Sequence, residues 1–158
     1  MGSTIFLYHV NDPRRYGVVE FNENKAINIE EKPSNPKSNW AVTGLFFYDT
    51  CVVDFAKKLT PSYRGELEIT DINKLYIRNN TLNVELLDNN FTWIDIGTPD
   101  SLLRTSLFVQ QQEQQTGFKI ACIEEISLNK SFITKGEYIE LIEKMPICAY
   151  RKYLEKFA

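Results

Sequence analysis

The order of apolar and polar segments predicts an α/β fold in which a mixed sheet with an added β-hairpin is followed by a helical C-terminal extension. Residues 4–10 are almost continuously apolar or aromatic, which is typical of a strand with neighbours on both sides. Strand-like and helix-like segments then alternate as far as residue 96. From residue 118 onward the apolar spacing is mainly helical.

Alternating apolar residues and turn residues predict the other strands. Residues 16–21 and 26–31 form a hairpin around the turn Asn22-Glu23-Asn24. Residues 40–48 form a long apolar strand, in which Gly44 indicates a bulge or a close approach of the backbone to a ligand. Two further strands are predicted at residues 82–87 and 91–96.

Helical spacing predicts the helices. Thr50 is placed as the N-cap of a short helix, and a second helix lies between residues 66 and 79. The apolar stripe of this second helix consists of Ile69, Ile72, Leu75 and Tyr76. Thr98-Pro99-Asp100 has the residues of a helix start, and Gly117 marks the end of that helix. The last helical face, which needs a surface to cover it, consists of Tyr150, Tyr153, Leu154 and Phe157.

Composition excludes several classes of function. The chain has 158 residues, 43% of them apolar, which is enough for one domain with a real core. A net charge of -3 provides no positive potential that would attract nucleic acid or an anionic membrane. An anionic ligand must therefore be bound by local charges. The three cysteines form no Cys-x-x-Cys pair, which predicts neither a disulfide framework nor a zinc site. No apolar stretch approaches the roughly 20 residues of a membrane span. A cytoplasmic protein fits best.

The tripeptide Glu31-Lys32-Pro33 is one candidate site. Adjacent side chains of a regular strand point to opposite faces, so Glu31 and Lys32 can serve one pocket only if the strand ends or bulges there. Pro33 predicts such an end and holds Lys32 extended. The carboxylate could then accept hydrogen bonds from sugar hydroxyls beside an ammonium that meets a phosphate. The alternative is a solvated hairpin end with an incidental charge pair.

Three other residues are candidates because of their neighbours. Alternation along residues 91–96 places Asp95 at the carboxyl end of a strand, either as a magnesium ligand or as a cap of the following turn. Arg64 lies in a loop before a helix, where it could reach a phosphate, with an ordinary surface position as the alternative. Trp93 is the aromatic residue best placed to stack on a ligand, whereas the other aromatics are expected in the core.

Five stretches in this order resemble the short bacterial form of the glucose-1-phosphate thymidylyltransferases, and the similarity covers essentially the whole chain. They are Tyr16-Gly17-Val18-Val19-Glu20-Phe21, Glu30-Glu31-Lys32-Pro33, Val42-Thr43-Gly44-Leu45, Arg64-Gly65-Glu66-Leu67-Glu68-Ile69-Thr70-Asp71 and Trp93-Ile94-Asp95-Ile96-Gly97-Thr98. The resemblance implies a Rossmann-like nucleotide-sugar transferase domain whose mixed sheet is incomplete here. Residues 1–99 would be its sugar-phosphate half, and residues 100–158 a helical subunit-contact region.

The resemblance also implies an activity and a set of site residues. The family joins dTTP and glucose 1-phosphate into dTDP-glucose and pyrophosphate, the first step toward dTDP-rhamnose, with Mg2+ and usually as a homo-oligomer. By similarity, the substrate-binding residues would be Tyr16, Gly17, Glu31, Lys32, Val42, Arg64 and Trp93. Lys32 and Arg64 would be catalytic through contacts with the sugar phosphate, and Asp95 would be one of two aspartates that bind magnesium. Phe46 stands where a tyrosine of the sugar pocket is expected.

The family's N-terminal segment, with its glycine-rich phosphate loop and its other metal aspartate, has no counterpart in this sequence. We therefore expect the chain to be inactive unless a complementary N-terminal chain is supplied, and the base of the nucleotide stays open. The alternative is a non-catalytic interaction module that associates with a full-length homologue. Its basis is the apolar face of the last helix and the strand at residues 4–10, which we expect to lack a neighbour at the edge of the sheet.

Overall fold

The computed structural model describes residues 2–23 and 25–158, and Asn24, the last residue of the predicted turn, lies outside this part of the chain. It divides into two compact units, of which the first ends at Trp93 and the second is Ile94–Ala158. The strands of the first unit are β1 (Ser3–His9), β2 (Gly17–Asn22), β3 (Lys25–Glu31), β4 (Trp40–Tyr48) and β5 (Leu82–Leu87). Its helices are α1 (Cys51–Lys57) and α2 (Ile69–Arg78), with a short 3-10 turn at Pro13–Arg15.

The described strands form one five-stranded mixed sheet in the order β3-β2-β4-β1-β5. Strand β1 is antiparallel to β4 and parallel to β5, so the expectation that it lacks a neighbour is wrong. The chain supplies that neighbour itself, because β5 returns after α2 and pairs with β1 from Ser3 to Tyr8. Ile5 and Leu7 of β1 are buried together with Val19 and Ile29, and Ile77 of α2 packs against this cluster. The core of the unit therefore lies between the sheet and α2.

The buried face of α2 is rotated relative to the predicted stripe. Ile72 and Tyr76 are buried as predicted, but Ile69 is 42% exposed, while Thr70 and Asn73 are buried. Both polar side chains have partners on the sheet, since Thr70 donates to Glu31 and Asn73 accepts from Tyr48. Apolar spacing does not predict these positions, because a buried polar side chain is acceptable only through a partner that lies far away in the sequence.

Two local predictions in β4 and α1 have different outcomes. The bulge is confirmed, since Gly44 has a φ of +87° and the register between β1 and β4 shifts between Ile5 and Leu7. A Cβ at Gly44 would meet no atom of the described chain within 4 Å, so the φ angle is what requires glycine. Helix α1 begins after Thr50 as predicted, but Thr50 makes no side-chain cap bond in the described chain. Asp49 accepts from the Cys51 amide instead, at 3.1 Å.

Residues 91–96 do not form a strand, which corrects that prediction. Side-chain contacts hold the segment in place of ladder hydrogen bonds. The indole Nε1 of Trp93 donates to the Thr43 carbonyl at 3.1 Å, and the Tyr8 hydroxyl donates to the Phe91 carbonyl at 3.2 Å. Alternating apolar residues thus reflect packing of single side chains here, and the arguments from strand geometry no longer apply to Asp95.

The second unit is helical, as predicted. Its helices are α3 (Pro99–Thr116), α4 (Ile123–Asn129), α5 (Lys135–Glu143) and α6 (Ala149–Leu154), followed by a 3-10 turn at Glu155–Phe157. Thr98 and Ser101 form a capping box at the start of α3, and Gly117 ends this helix with a φ of 75°. In the part of the chain that the structure describes, no helix has both the length and the apolarity needed to cross a membrane.

The second unit has its own core. It consists of Cys122, Tyr138, Ile142, Tyr153 and Leu154, with Leu128, Ile133, Met145, Tyr150 and Phe157 packed against it. The face of the last helix, predicted to need a covering surface, is therefore covered by α4 and α5 of the same unit. Together with the paired strand β1, this removes both observations on which the interaction-module alternative was based.

Candidate functional site

Three candidate residues meet where β2, β3 and β4 lie side by side. Gly17, the first residue of β2, pairs directly with Glu31, the last residue of β3. A Cβ added at Gly17 would lie 3.3 Å from Glu31 Oε2, 3.3 Å from Thr70 Oγ1 and 3.5 Å from Val42 Cγ2. The two contacts at 3.3 Å are tight, whereas 3.5 Å is an ordinary van der Waals distance, so glycine leaves the space in which the Glu31 and Thr70 side chains meet beside Val42. The structure thus brings together Gly17, Glu31 and Val42.

Glu31, Lys32 and Arg64 line one cavity of about 280 Å³. Its other lining residues are Glu30, Pro33, Ser34, Ser62, Tyr63, Glu68, Asp71 and Lys74. The predicted end of the strand is confirmed, because β3 ends at Glu31. The expectation that Lys32 is extended is wrong, since its φ is 45°. The chain turns away from the sheet at this residue, with the Lys32 amide donating to the Tyr16 carbonyl at 3.0 Å.

In the described chain, three carboxylates surround the guanidinium of Arg64. Nη2 lies 2.8 Å from Glu66, and Nη1 lies 3.4 Å from Glu68 and 3.8 Å from Glu31. The Arg64 side chain is only 22% exposed, and its Nη1 is buried without a hydrogen bond to any described residue. Arg64 is therefore held at the pocket wall by the protein's own acids and is not an ordinary surface arginine.

Tyr16 and Trp93 form an aromatic pair beside these residues. Their ring centroids are 5.0 Å apart in an edge-to-face arrangement. Each is tied to the residues already described, because Tyr16 accepts from the Lys32 amide and Trp93 donates to Thr43, the residue after Val42. The first unit therefore brings all seven predicted substrate-binding residues into one connected group. Phe46, in contrast, packs against the core of the sheet and stacks on Tyr48.

Asp95 belongs to the second unit. Its Oδ1 accepts a hydrogen bond from the Gly97 amide at 3.2 Å, which is the turn contact expected from the alternative to a metal ligand. Among residues 2–23 and 25–158, no three histidine, cysteine or acidic side chains gather closely enough to hold a metal ion. The role of Asp95 in metal binding thus stays a prediction.

Residues 1–112 match the model of a family described as Nucleotidyl transferase, which is more than half of the chain. The chain belongs to this family. The resemblance predicted from the five motifs is thereby confirmed at the level of the family, and the α/β fold class agrees with the mixed sheet and its helices.

Individual members of the nucleotidyl transferase family are similar to the chain over part of their length. Glucose-1-phosphate thymidylyltransferases from Neisseria meningitidis and Xanthomonas campestris are 48% and 43% identical to it, over 97% and 99% of the chain. Both alignments cover 54% of the relative, so the chain spans about half the length of the curated relatives it matches.

Two solved structures show the same fold. A glucose-1-phosphate thymidylyltransferase from Bacillus anthracis, crystallised with sucrose, superimposes with a TM-score of 0.61 and 45% identity, over 68% of this chain and 43% of that chain. An apo UDP-glucose pyrophosphorylase superimposes with a TM-score of 0.62, over 71% of this chain and 44% of that one. At 19% identity this second structure supports the fold alone.

Sequence reasoning missed Thr70, which in this nucleotidyl transferase chain touches the proposed site directly. Its hydroxyl donates to Glu31 Oε2 at 2.6 Å, and the residue is 2% exposed. The apolar period of α2 pointed to Ile69 instead. The signal that could have found Thr70 was its place in the Arg64–Asp71 stretch, two residues after an acid and one before another.

Proposed function

We propose that this chain carries the sugar-phosphate side of a nucleotidyltransferase active site, in an enzyme that joins dTTP and glucose 1-phosphate into dTDP-glucose and pyrophosphate. One observation carries the proposal, namely that Glu31, Lys32 and Arg64 line a single cavity next to Gly17 and Val42. The names of the similar proteins supply the substrates.

The pocket divides into a part for hydroxyls and a part for phosphate. Glu31 is an acceptor with two oxygens, suited to sugar hydroxyls, and the backbone at Gly17 and Val42 would complete that part. The exposed ammonium of Lys32 is free to approach a phosphate. Arg64 would exchange a carboxylate for the phosphate, and Glu66 is the partner most easily displaced, because it is 59% exposed.

The residues act by position and charge. The sugar-phosphate oxygen would attack the α-phosphorus of dTTP in line, and pyrophosphate would leave as that bond forms. Lys32 and Arg64 would hold the attacking phosphate in place, and the Tyr16–Trp93 pair would lie beside the pocket, next to the part that binds hydroxyls. Little covalent chemistry is required of the protein itself.

Magnesium is part of the proposal through Asp95. A carboxylate is the oxygen donor that magnesium prefers, and magnesium is commonly bound by one or two carboxylates together with substrate phosphates. A single aspartate therefore fits a partial site, and the resemblance implies a second aspartate. When bound, magnesium neutralises charge on the phosphates during transfer. Asp95 would hold its carboxylate in place through the turn with Gly97.

We also propose that this chain does not catalyse the reaction by itself. The alignments cover 54% of the thymidylyltransferases, and the residues that we assign to the pocket would serve only the sugar phosphate. We expect no pyrophosphate when these 158 residues alone are mixed with dTTP, magnesium and glucose 1-phosphate. Clear turnover by this polypeptide would contradict the expectation.

The pocket is tested by isothermal titration with glucose 1-phosphate. Lys32→Ala and Arg64→Ala should each weaken binding by about tenfold or more, because each removes a charge-assisted contact. Lys37→Ala is the matched control, since Lys37 is exposed in the same unit and does not line the cavity. Equal affinities for the parent and all three variants would remove Lys32 and Arg64 from the site.

A further inference from the structure

The hydroxyl of Thr70 makes a short, partly buried hydrogen bond to Glu31. The distance from Oγ1 to Oε2 is 2.6 Å, and Thr70 is 2% exposed. A carboxylate only accepts hydrogen bonds, so the threonine hydroxyl is the donor. Hydrogen bonds of this kind to an ionised group are among the stronger ones in proteins. The contact therefore restrains one oxygen of the Glu31 side chain.

The position of Thr70 follows from the start of α2. The helix begins at Ile69, which is 42% exposed, and the next residue faces the sheet. Gly17 on β2 leaves the space in which the hydroxyl and the carboxylate meet, because a Cβ there would lie 3.3 Å from each. Thr70 thus reaches Glu31 from the first turn of α2, although the two residues are 39 positions apart in the sequence.

The two oxygens of Glu31 have different surroundings. Oε2 is bonded to Thr70, whereas Oε1 faces the guanidinium of Arg64 at 3.8 Å. The hydrogen bond from Thr70 limits rotation of the carboxylate, the nearby charge of Arg64 favours the same orientation, and Glu31 itself lines the cavity. Only donors placed to match that orientation can then bind well.

We propose that Thr70 is a positioning residue that fixes the Glu31 carboxylate, so that the pocket selects a hexose phosphate by the hydroxyls it presents. This rests on the proposed function. Thr70 acts on the ligand only through Glu31, and its removal alters selectivity more than the overall capacity to bind phosphate. The chemical class of ligand is a sugar phosphate with neighbouring free hydroxyls.

The test compares the parent with three variants by isothermal titration with glucose 1-phosphate and with analogues that each lack one ring hydroxyl. Thr70→Val removes the donor and keeps the shape, whereas Thr70→Ser keeps the donor. Thr105→Val in α3 is the control, because it also removes a threonine hydroxyl, one that bonds the Ser101 carbonyl at 2.8 Å. Thermal unfolding of each variant shows that it is folded before titration.

We expect Thr70→Val to bind glucose 1-phosphate about tenfold more weakly, because a Glu31 carboxylate that is no longer restrained forms weaker hydrogen bonds with the sugar hydroxyls. The parent's preference for glucose 1-phosphate over at least one deoxy analogue should shrink in this variant. Thr70→Ser and Thr105→Val should keep both the affinity and the preference. A merely structural role would lower stability without changing the preference between ligands.

Two results would overturn the inference, and they are distinguishable. If the parent binds glucose 1-phosphate and Thr70→Val keeps the same affinity and the same preference, the positioning role is wrong while the proposed function stands. If the parent itself binds neither glucose 1-phosphate nor any analogue, the proposed function fails and the role of Thr70 fails with it.

Discussion

The two units of the chain use polar side-chain contacts for different purposes. In the first unit, polar side chains meet across long sequence distances at the candidate pocket, as Thr70 does with Glu31 and Arg64 with the same carboxylate. In the second unit, polar side chains cap helices, as Thr134 does with Glu137, or close the core, as Tyr138 does by donating to the Leu154 carbonyl at 3.0 Å. The comparison shows that a candidate site is marked by several polar side chains converging on one pocket, and not by the burial of single polar side chains.

The largest expected effects come from removing core side chains, one in each unit. Leu7 and Leu154 are both fully buried, so Leu7→Ala and Leu154→Ala should each cost about 2 to 5 kcal/mol of unfolding free energy. Hydrogen exchange should show lost protection in the strands for the first variant and in α4 to α6 for the second. Leu103→Ala is the control, because Leu103 is 62% exposed and its loss should matter little. Identical patterns of lost hydrogen-exchange protection in both core variants would contradict the division into two units.

The next effect separates strain at a site from strain at a helix end. Lys32 and Ser131 both have positive φ angles, of 45° and 57°. Glycine tolerates this region, so Lys32→Gly and Ser131→Gly should each raise the unfolding free energy by up to about 1 kcal/mol, reduced by the greater freedom of glycine in the unfolded chain. Only Lys32→Gly should weaken binding of glucose 1-phosphate. Denaturant unfolding measures the stability of each variant, and titration measures its affinity for glucose 1-phosphate. Unchanged affinity in Lys32→Gly would show that neither the side chain nor the backbone strain of Lys32 contributes to binding.

A smaller effect compares two helix starts. Thr134 begins α5 with a capping box, whereas Thr50 begins α1 without a side-chain cap bond in the described chain. Thr134→Ala should lower the free energy of unfolding by about 1 kcal/mol, and that of Thr50→Ala should stay within about 0.5 kcal/mol of the parent. Chemical denaturation of both variants provides the check. Equal losses would mean that the cap geometry does not distinguish the helices.

The smallest expected effect is a response of the second unit to acid. The Thr134 amide and hydroxyl lower the pKa of Glu137, and Lys119 with the Ile120 amide lowers the pKa of Glu113. A lowered pKa in the folded state adds stability that is present above the ordinary glutamate value and is lost as the pH falls through the folded value. Exchange protection in α5 should therefore decrease on going from about pH 5 to about pH 3. Glu137→Gln should flatten this dependence, and superimposable profiles would contradict the assignment.

The sequence predicted most of the fold because local patterns decide most of it. Pro99 and Gly117 bound α3 through chemistry that lies within a few residues, and Gly44 marks the bulge by its own φ. The predicted strand at residues 91–96 failed because alternation is also produced by single side chains, such as Trp93, that pack on other strands.

The candidate site was predictable in composition but not in geometry. Glu31, Lys32 and Arg64 were found from their neighbours in the sequence and lie around one cavity. Thr70 was missed because its partner is 39 positions away. The predicted extended conformation of Lys32 was wrong, and the backbone of this residue is hydrogen-bonded to Tyr16, which is also distant in the sequence. The neighbours of Thr70 in the sequence mark it only as a polar residue between two acids, and they do not identify Glu31 as its partner.

The tight packing around Gly17 has a consequence for engineering the specificity of this pocket. A methyl group introduced there would lie only 3.3 Å from both the Glu31 carboxylate and the Thr70 hydroxyl, and neither a charge nor a polar atom would be deleted. Gly17→Ala would therefore shift an acceptor sideways instead of removing it. Substitution of this glycine would therefore be a way to broaden the range of accepted sugars by moving the Glu31 carboxylate, whereas replacing Glu31 would remove the hydrogen-bond acceptor altogether.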